Sequence, residues 1–139
     1  MRRVVVEAEL ANAGDLFIVA SGADPNHAVR TVVVDNALVD TGCTSVGLPP
    51  SIIERLGLTK HRTVVSQAAT GKREVGLYGP LRVTIQGRFA TVDAHDIAET
   101  APPLIGQIPL EMMDFVVDPR NQRLIGNPEH NGEQMLEAY

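Results

Sequence analysis

One cysteine, Cys43, is all that the 139 residues contain, which excludes an internal disulfide and a zinc site built on cysteines. Long apolar runs are missing too, since nothing approaches the ~18 uninterrupted apolar residues of a membrane span. The opening segment, MRRVVVEAEL, has two arginines, but its valine run stops at Glu7, short of the roughly 7–15 apolar residues of a secretory signal. A cytoplasmic setting with no membrane partner is therefore expected. Clustered basic residues are also scarce. Lys and Arg number 12 against 17 Asp and Glu, a net charge of −5, so no nucleic-acid partner is expected. The four histidines, His27, His61, His95 and His130, lack metal-ligand spacing, and neither metal nor cofactor is expected. Nothing reads as a linker between globular units, so residues 1–126 are expected to form one domain and 127–139 a polar, extended tail.

What is present is a series of short β-branched runs broken by turn residues, the mark of an all-β chain. Residues 4–10 and 16–20 read as strands flanking a turn at NAGD, and 29–34 and 37–40 as strands punctuated by Asp35-Asn36. Residues 62–67 and 74–78 flank AATGKR, a hairpin with its tip near Thr70-Gly71-Lys72. Residues 81–85 and 89–95 flank Gln86-Gly87, where glycine supplies the positive φ of a tight turn. A last pair, 116–117 and 123–125, flanks DPRNQ. Two short helices are expected between the strands. PPSIIERLGL offers Ser51 as N-cap, Glu54 to complete a capping box and Gly57 as terminator. IPLEMMDF offers Pro109 in a first turn. Each helix follows a glycine turn, a weak repeat that suggests two similar halves.

The stretch NALVDTGCTSVGLPPS, residues 36–51, carries the chemistry. Asp40 ends an apolar strand, Thr41 brings a hydroxyl able to tie the loop down, and Gly42 permits a tight turn. Asp15, Asp24, Asp35 and Asp118 lack such company and read as caps or solvated turn residues. The surroundings extend the pattern: Leu-Pro, a short helix ending RLGL, a hairpin bearing Gly71, Gly76 and Gly79, and finally PLIG.

From about Val29 to Ile125 the chain resembles the retropepsin-like aspartic proteases, single-domain relatives of pepsin. The resemblance rests on ALVDTGCTS, the helix after it, the hairpin of residues 66–79 and PLIG. It implies a closed, mostly β acid-protease barrel with two short helices and a flap hairpin, and an endopeptidase with Asp40 as the catalytic aspartate. It further implies that Thr41 braces the active-site loops, that Gly42 lets the backbone turn, and that Leu104, Ile105 and Gly106 pack behind the site. Ala69, Thr70, Gly71 and Lys72 would form the flap tip that covers a peptide or protein substrate. The mechanism needs two carboxylates, and the chain holds one Asp-Thr-Gly. A two-fold homodimer would pair Asp40 of each copy.

The pattern departs from the family at two places. Cys43 stands where Ser or Ala is usual, as a packing substitution or a redox-sensitive residue; no histidine neighbours it in sequence to make it a nucleophile. Gly106 is followed by Gln107-Ile108-Pro109, so the charged residues that help to hold viral dimers are replaced. Leu38, Val46, Leu48 and Ile105 are read either as a cleft that tolerates apolar side chains or simply as core. Two other readings stand beside the protease: a silent module of the same fold that holds peptides or assembles, and an unrelated β domain in which Asp40 caps a turn.

Overall fold

A computed structural model describes residues 3–68 and 71–136. Its elements are β1 (Val4–Asn12), α1 (Ala13–Ala20), β2 (Thr31–Val39), β3 (Val46–Leu48), α2 (Pro50–Leu56), β4 (Thr59–Ala68), β5 (Gly71–Ile85), β6 (Arg88–Asp96), β7 (Leu104–Ile105), α3 (Gln107–Met112), β8 (Phe115–Asp118) and β9 (Arg123–Gly126). The main sheet runs β1-β2-β7-β3-β6-β5-β4, and β5 also pairs with β1. Six strands thus close into a barrel, as the all-β reading expected, with β4 outside the ring. Strand β5 achieves this by changing partners along one edge. Its residues 71–79 pair with β4 and 81–84 with β1, and the exchange falls at Gly79-Pro80, where proline offers no N–H to a ladder.

Period-two burial places the core inside the ring. On β5, Leu81, Val83 and Ile85 are buried while Arg82 and Thr84 are less so. On β2 the buried set shifts from Val32 and Val34 to Ala37. Asp35 and Asn36 together oppose Glu7, because Val34 pairs with Ala8 and Ala37 with Val6. One bulged strand therefore replaces the two expected there, and the bulge swaps which face points inward. The Gln86-Gly87 turn has positive φ at both residues, 49° and 79°, a hairpin geometry that suits the sheet twist.

The helices bring corrections. Residues 16–20, expected as a strand, belong to α1. Asn12 starts it by accepting the Asp15 N–H at 3.0 Å, and its own amide donates to the Leu56 carbonyl at 2.9 Å. A capping asparagine outweighed the β propensity of Phe17-Ile18-Val19. Ser51 is not the N-cap of α2, which begins at Pro50 with no side-chain cap. Its first turn is served instead by the Glu99 carboxylate, which accepts the Ser51 N–H at 3.1 Å. Gly57 terminates α2 in the left-handed region, φ 62°, as expected. No helix among the described residues is long and apolar enough to cross a membrane.

Two buried carboxylates hold peripheral segments to the barrel. Asp15 accepts Arg30 Nε at 2.9 Å, Arg30 Nη2 and backbone N–H at 3.0 Å each, and meets His27 Nε2 at 2.8 Å. The Arg30 guanidinium holds the Asp15 carboxyl far below the usual range, against burial that pushes it up. Asp114 meets His130 Nδ1 at 2.6 Å and accepts the Met135 N–H at 3.0 Å and Asn127 Nδ2 at 3.2 Å. That contact lowers its pKa, His130 being the main cause. The described part of the tail, expected to be extended, therefore forms a turn at Pro128–His130 and folds back onto the end of α3.

Asp15→Ala should lower the unfolding free energy by about 2–3 kcal/mol, as loss of charge-assisted hydrogen bonds to a buried carboxylate implies. Urea denaturation checks it. Because the folded-state pKa of Asp15 is depressed, its contribution is present above the ordinary carboxylate range and fades as pH falls below it. The variant should therefore lose less stability than the wild type between pH 5 and pH 2, two conditions for the titration.

Candidate active site

Strand β7 is inserted between the two strands that flank the Asp-Thr-Gly turn. Leu38 and Val39 of β2 pair with Leu104 and Ile105 in parallel, while Val46 and Gly47 of β3 pair with Ile105 and Leu104 in antiparallel. The chain from Asp40 to Ser45 must then pass over the end of β7, at Gly106. Three successive N–H groups rise to meet it. Gly106 donates to the Ser45 carbonyl at 2.7 Å, Gln107 to Cys43 at 2.8 Å and Ile108 to Thr44 at 2.9 Å. These donors belong to the start of α3, where a helix has no partners of its own. A β-carbon at Gly106 would press into the carbonyl oxygens of Cys43 and Ser45, so glycine is required there by close approach.

Asp40 sits at the head of this turn, half-buried. Its N–H donates to the Ile105 carbonyl at 2.9 Å, and its carbonyl accepts the Cys43 N–H at 3.0 Å. The carboxylate Oδ1 accepts the Gly42 N–H at 3.0 Å. Its position is thus set by main chain on both sides, and Oδ2 accepts no hydrogen bond among the described residues. Thr41 and Gly42 are exposed. Cys43 is partly buried, and burial raises the pKa of its thiol, with the Asp40 charge adding to the effect. Ser45 was not singled out by sequence; its hydroxyl donates to the Asp93 carbonyl at 2.7 Å and ties the turn to β6.

Beside the turn lies a cavity of about 720 Å³. Its walls are Gly42–Ser45, residues 64–67, 75 and 77 of the β4–β5 hairpin, Thr91–Asp93 and His95 of β6, and Ile108 and Met112 of α3. Asp40 itself does not line it. Another cavity, about 540 Å³, lies between β1, the Gln86-Gly87 turn and β9, and contains none of the expected site residues. The hairpin projects past β6, whose pairing with β5 begins at Leu77. Two contacts with Asp96 hold the projecting part: the Gly76 N–H reaches Oδ1 and Arg73 reaches the carbonyl, both at 3.0 Å. Gly71, φ 118°, and the exposed Lys72 lie at its end, paired with Ala68 and Gln67. Ala69 and Thr70 lie outside the described residues.

Asp40 is therefore brought against Ile105, and Cys43–Ser45 against Gly106–Ile108, while Thr41 and Gly42 stay exposed to solvent; residues of the hairpin line the adjoining cavity. Of the four apolar residues read as cleft or core, Val46, Leu48 and Ile105 are fully buried core residues and Leu38 is partly buried; none lines the cavity. The exposed part of the apolar wall comes from Val65 of β4 and Ile108 and Met112 of α3, each more than a third exposed, which the sequence did not single out because only the tertiary fold brings that strand and that helix to one cavity. Among the described residues no group of three His, Cys, Asp or Glu is placed to hold a metal ion. No family model matches the chain, and no curated protein matches it either.

Gly106→Ala should destabilise the fold by roughly 3 kcal/mol, since the added methyl meets main-chain oxygens that cannot turn aside; thermal or urea unfolding reads this directly. A raised thiol pKa leaves little thiolate. Cys43 should accordingly react with iodoacetamide at pH 8 several-fold more slowly than free cysteine, as followed by intact mass.

Proposed function

We propose that the protein is a retropepsin-like aspartic endopeptidase that acts as a homodimer, with Asp40 as its catalytic residue. The observation that carries this reading is the Asp40 turn, held by the N–H groups of Gly106, Gln107 and Ile108 beside a hairpin-covered cavity. Such a turn presents a carboxylate in a fixed orientation without burying it deeply. One copy supplies one carboxylate from one Asp-Thr-Gly, so the reaction requires a second copy with its Asp40 alongside. Two carboxylates at that range share a proton, because ionising both is costly. The ionised partner removes a proton from water as the water attacks the scissile carbonyl. The protonated partner donates a hydrogen bond to the carbonyl oxygen as negative charge develops there. Collapse of the tetrahedral intermediate expels the amine, which takes up a proton from the pair. The hairpin edge supplies main-chain groups that can align an extended peptide as an added strand. Thr41, Leu104, Ile105, Gly71 and Lys72 keep the supporting and covering roles that the resemblance implies, and a cytoplasmic location fits a chain with one cysteine.

A second reading draws on one specific observation: the cavity is walled by residues 42–45 but not by Asp40. A peptide held there without reaching the carboxylate would make the protein a binding or assembly module.

The Asp40→Asn variant should keep its fold and its oligomeric mass while losing cleavage of a peptide library by at least a thousandfold (roughly the scale of losing a general acid–base partner). Cleavage that persisted in the rigorously purified variant would reject the protease reading, and peptide retention without turnover in the wild type would favour the second.

A further inference from the structure

The cavity beside the Asp40 turn has an uneven charge. Asp93 is the one carboxylate on its walls, and none of its lining residues is Lys or Arg. Its other titratable walls are uncharged at neutral pH: burial raises the pKa of the Cys43 thiol and lowers that of the His95 imidazole. The Asp93 side chain is 44% exposed, and its Oδ2 lies 3.1 Å from His61 Nε2. No donor reaches its Oδ1 among the described residues. That oxygen lies over Gly79, where any β-carbon would collide with it. His61 is the residue skipped in the β4–β5 register, between the Lys60–Tyr78 and Arg62–Leu77 pairs. It therefore reaches Asp93, two strands away in the β4-β5-β6 order, across the gap that Gly79 leaves. Asp93 thus stands at the cavity wall, with one carboxylate oxygen that takes no hydrogen bond among the described residues. Opposite in character, Val65, Ile108 and Met112 present exposed apolar surface to the same cavity, at 65%, 45% and 46%.

An apolar wall with a single anionic group at its edge suits a long aliphatic side chain that ends in a cation. We infer that this cavity selects peptides bearing a lysine or arginine side chain, with the stem on Val65, Ile108 and Met112 and the cationic head on Asp93. The inference rests on the reading that the cavity receives an extended peptide. The chain's net charge of −5 acts in the same direction by drawing cationic peptides toward the surface. Asp93 is a specificity residue in this account, since it touches the peptide side chain and takes no part in bond cleavage.

The test is a set of alanine-rich octapeptides in which one lysine is moved along the chain, each paired with its norleucine isostere. Binding is measured by fluorescence anisotropy to the Asp40→Asn protein, and cleavage of the same peptides by the wild type. At the best position, lysine should bind on the order of tenfold more tightly than norleucine, the advantage shrinking as salt is raised. Adding Asp93→Asn should bring the ratio close to one, with an unchanged melting temperature showing that the fold persists; the salt titration of the Asp93-containing protein stands by itself if that variant melts early. Equal binding of the two peptides, a lysine preference that survives Asp93→Asn, or no binding of either would each overturn the inference. Cleavage by the wild type without charge preference would leave the protease reading standing. Asp93-dependent lysine binding without cleavage would sink the protease reading and keep this one.

Discussion

The N–H groups of Gly106, Gln107 and Ile108 reach the carbonyl oxygens of Ser45, Cys43 and Thr44, and the arrangement of the barrel around Asp40 follows from that contact. The same bonds satisfy the unpaired start of α3 and the unpaired carbonyls of a turn that belongs to no strand. They also oblige β7 to lie between β2 and β3, since the turn can meet α3 only by crossing the end of the inserted strand. With β7 in place, the six-stranded ring closes through β5 and β1. A side chain at Gly106 would press on two main-chain carbonyls of the turn and so disturb all of this at once.

Burial of charge is handled elsewhere. Among the described residues, Asp15 and Asp114 are the acidic ones taken out of water, at 2% and 7% exposure, and each is surrounded by donors. Both act as ties, Asp15 between α1 and the start of β2, Asp114 between α3 and the tail. Asp40 is treated differently. It remains half-exposed with one oxygen on the Gly42 N–H, so the turn fixes its direction while leaving it open to water.

Much of this was legible in one dimension. The strands around Gln86-Gly87 and the Gly57 terminator were readable because a positive φ leaves a local residue signature. The Asp40–Gly42 turn and the Leu104–Gly106 element were readable as separate motifs because each is a contiguous run of residues, although neither Gly42 nor Gly106 takes a positive φ. Less local features were not. The α1 helix was hidden because Leu16–Ala20 is rich in β formers and the decisive group was one Asn12 side chain, itself fixed by the Leu56 carbonyl 44 positions away. Ser51 carried a capping signature, yet Glu99 from a remote loop took the role.

The sequence by itself determined the all-β class, the position of the carboxylate and the glycine turns, because each depends on propensity or on φ at a few adjacent residues. Only the tertiary structure decided that the two motifs meet, that Val46, Leu48 and Ile105 are core while Val65, Ile108 and Met112 face the cavity, and that Asp93 stands at its wall. Those outcomes depend on which strands become neighbours, and strand pairing joins residues tens of positions apart through main-chain hydrogen bonds that carry no local signature.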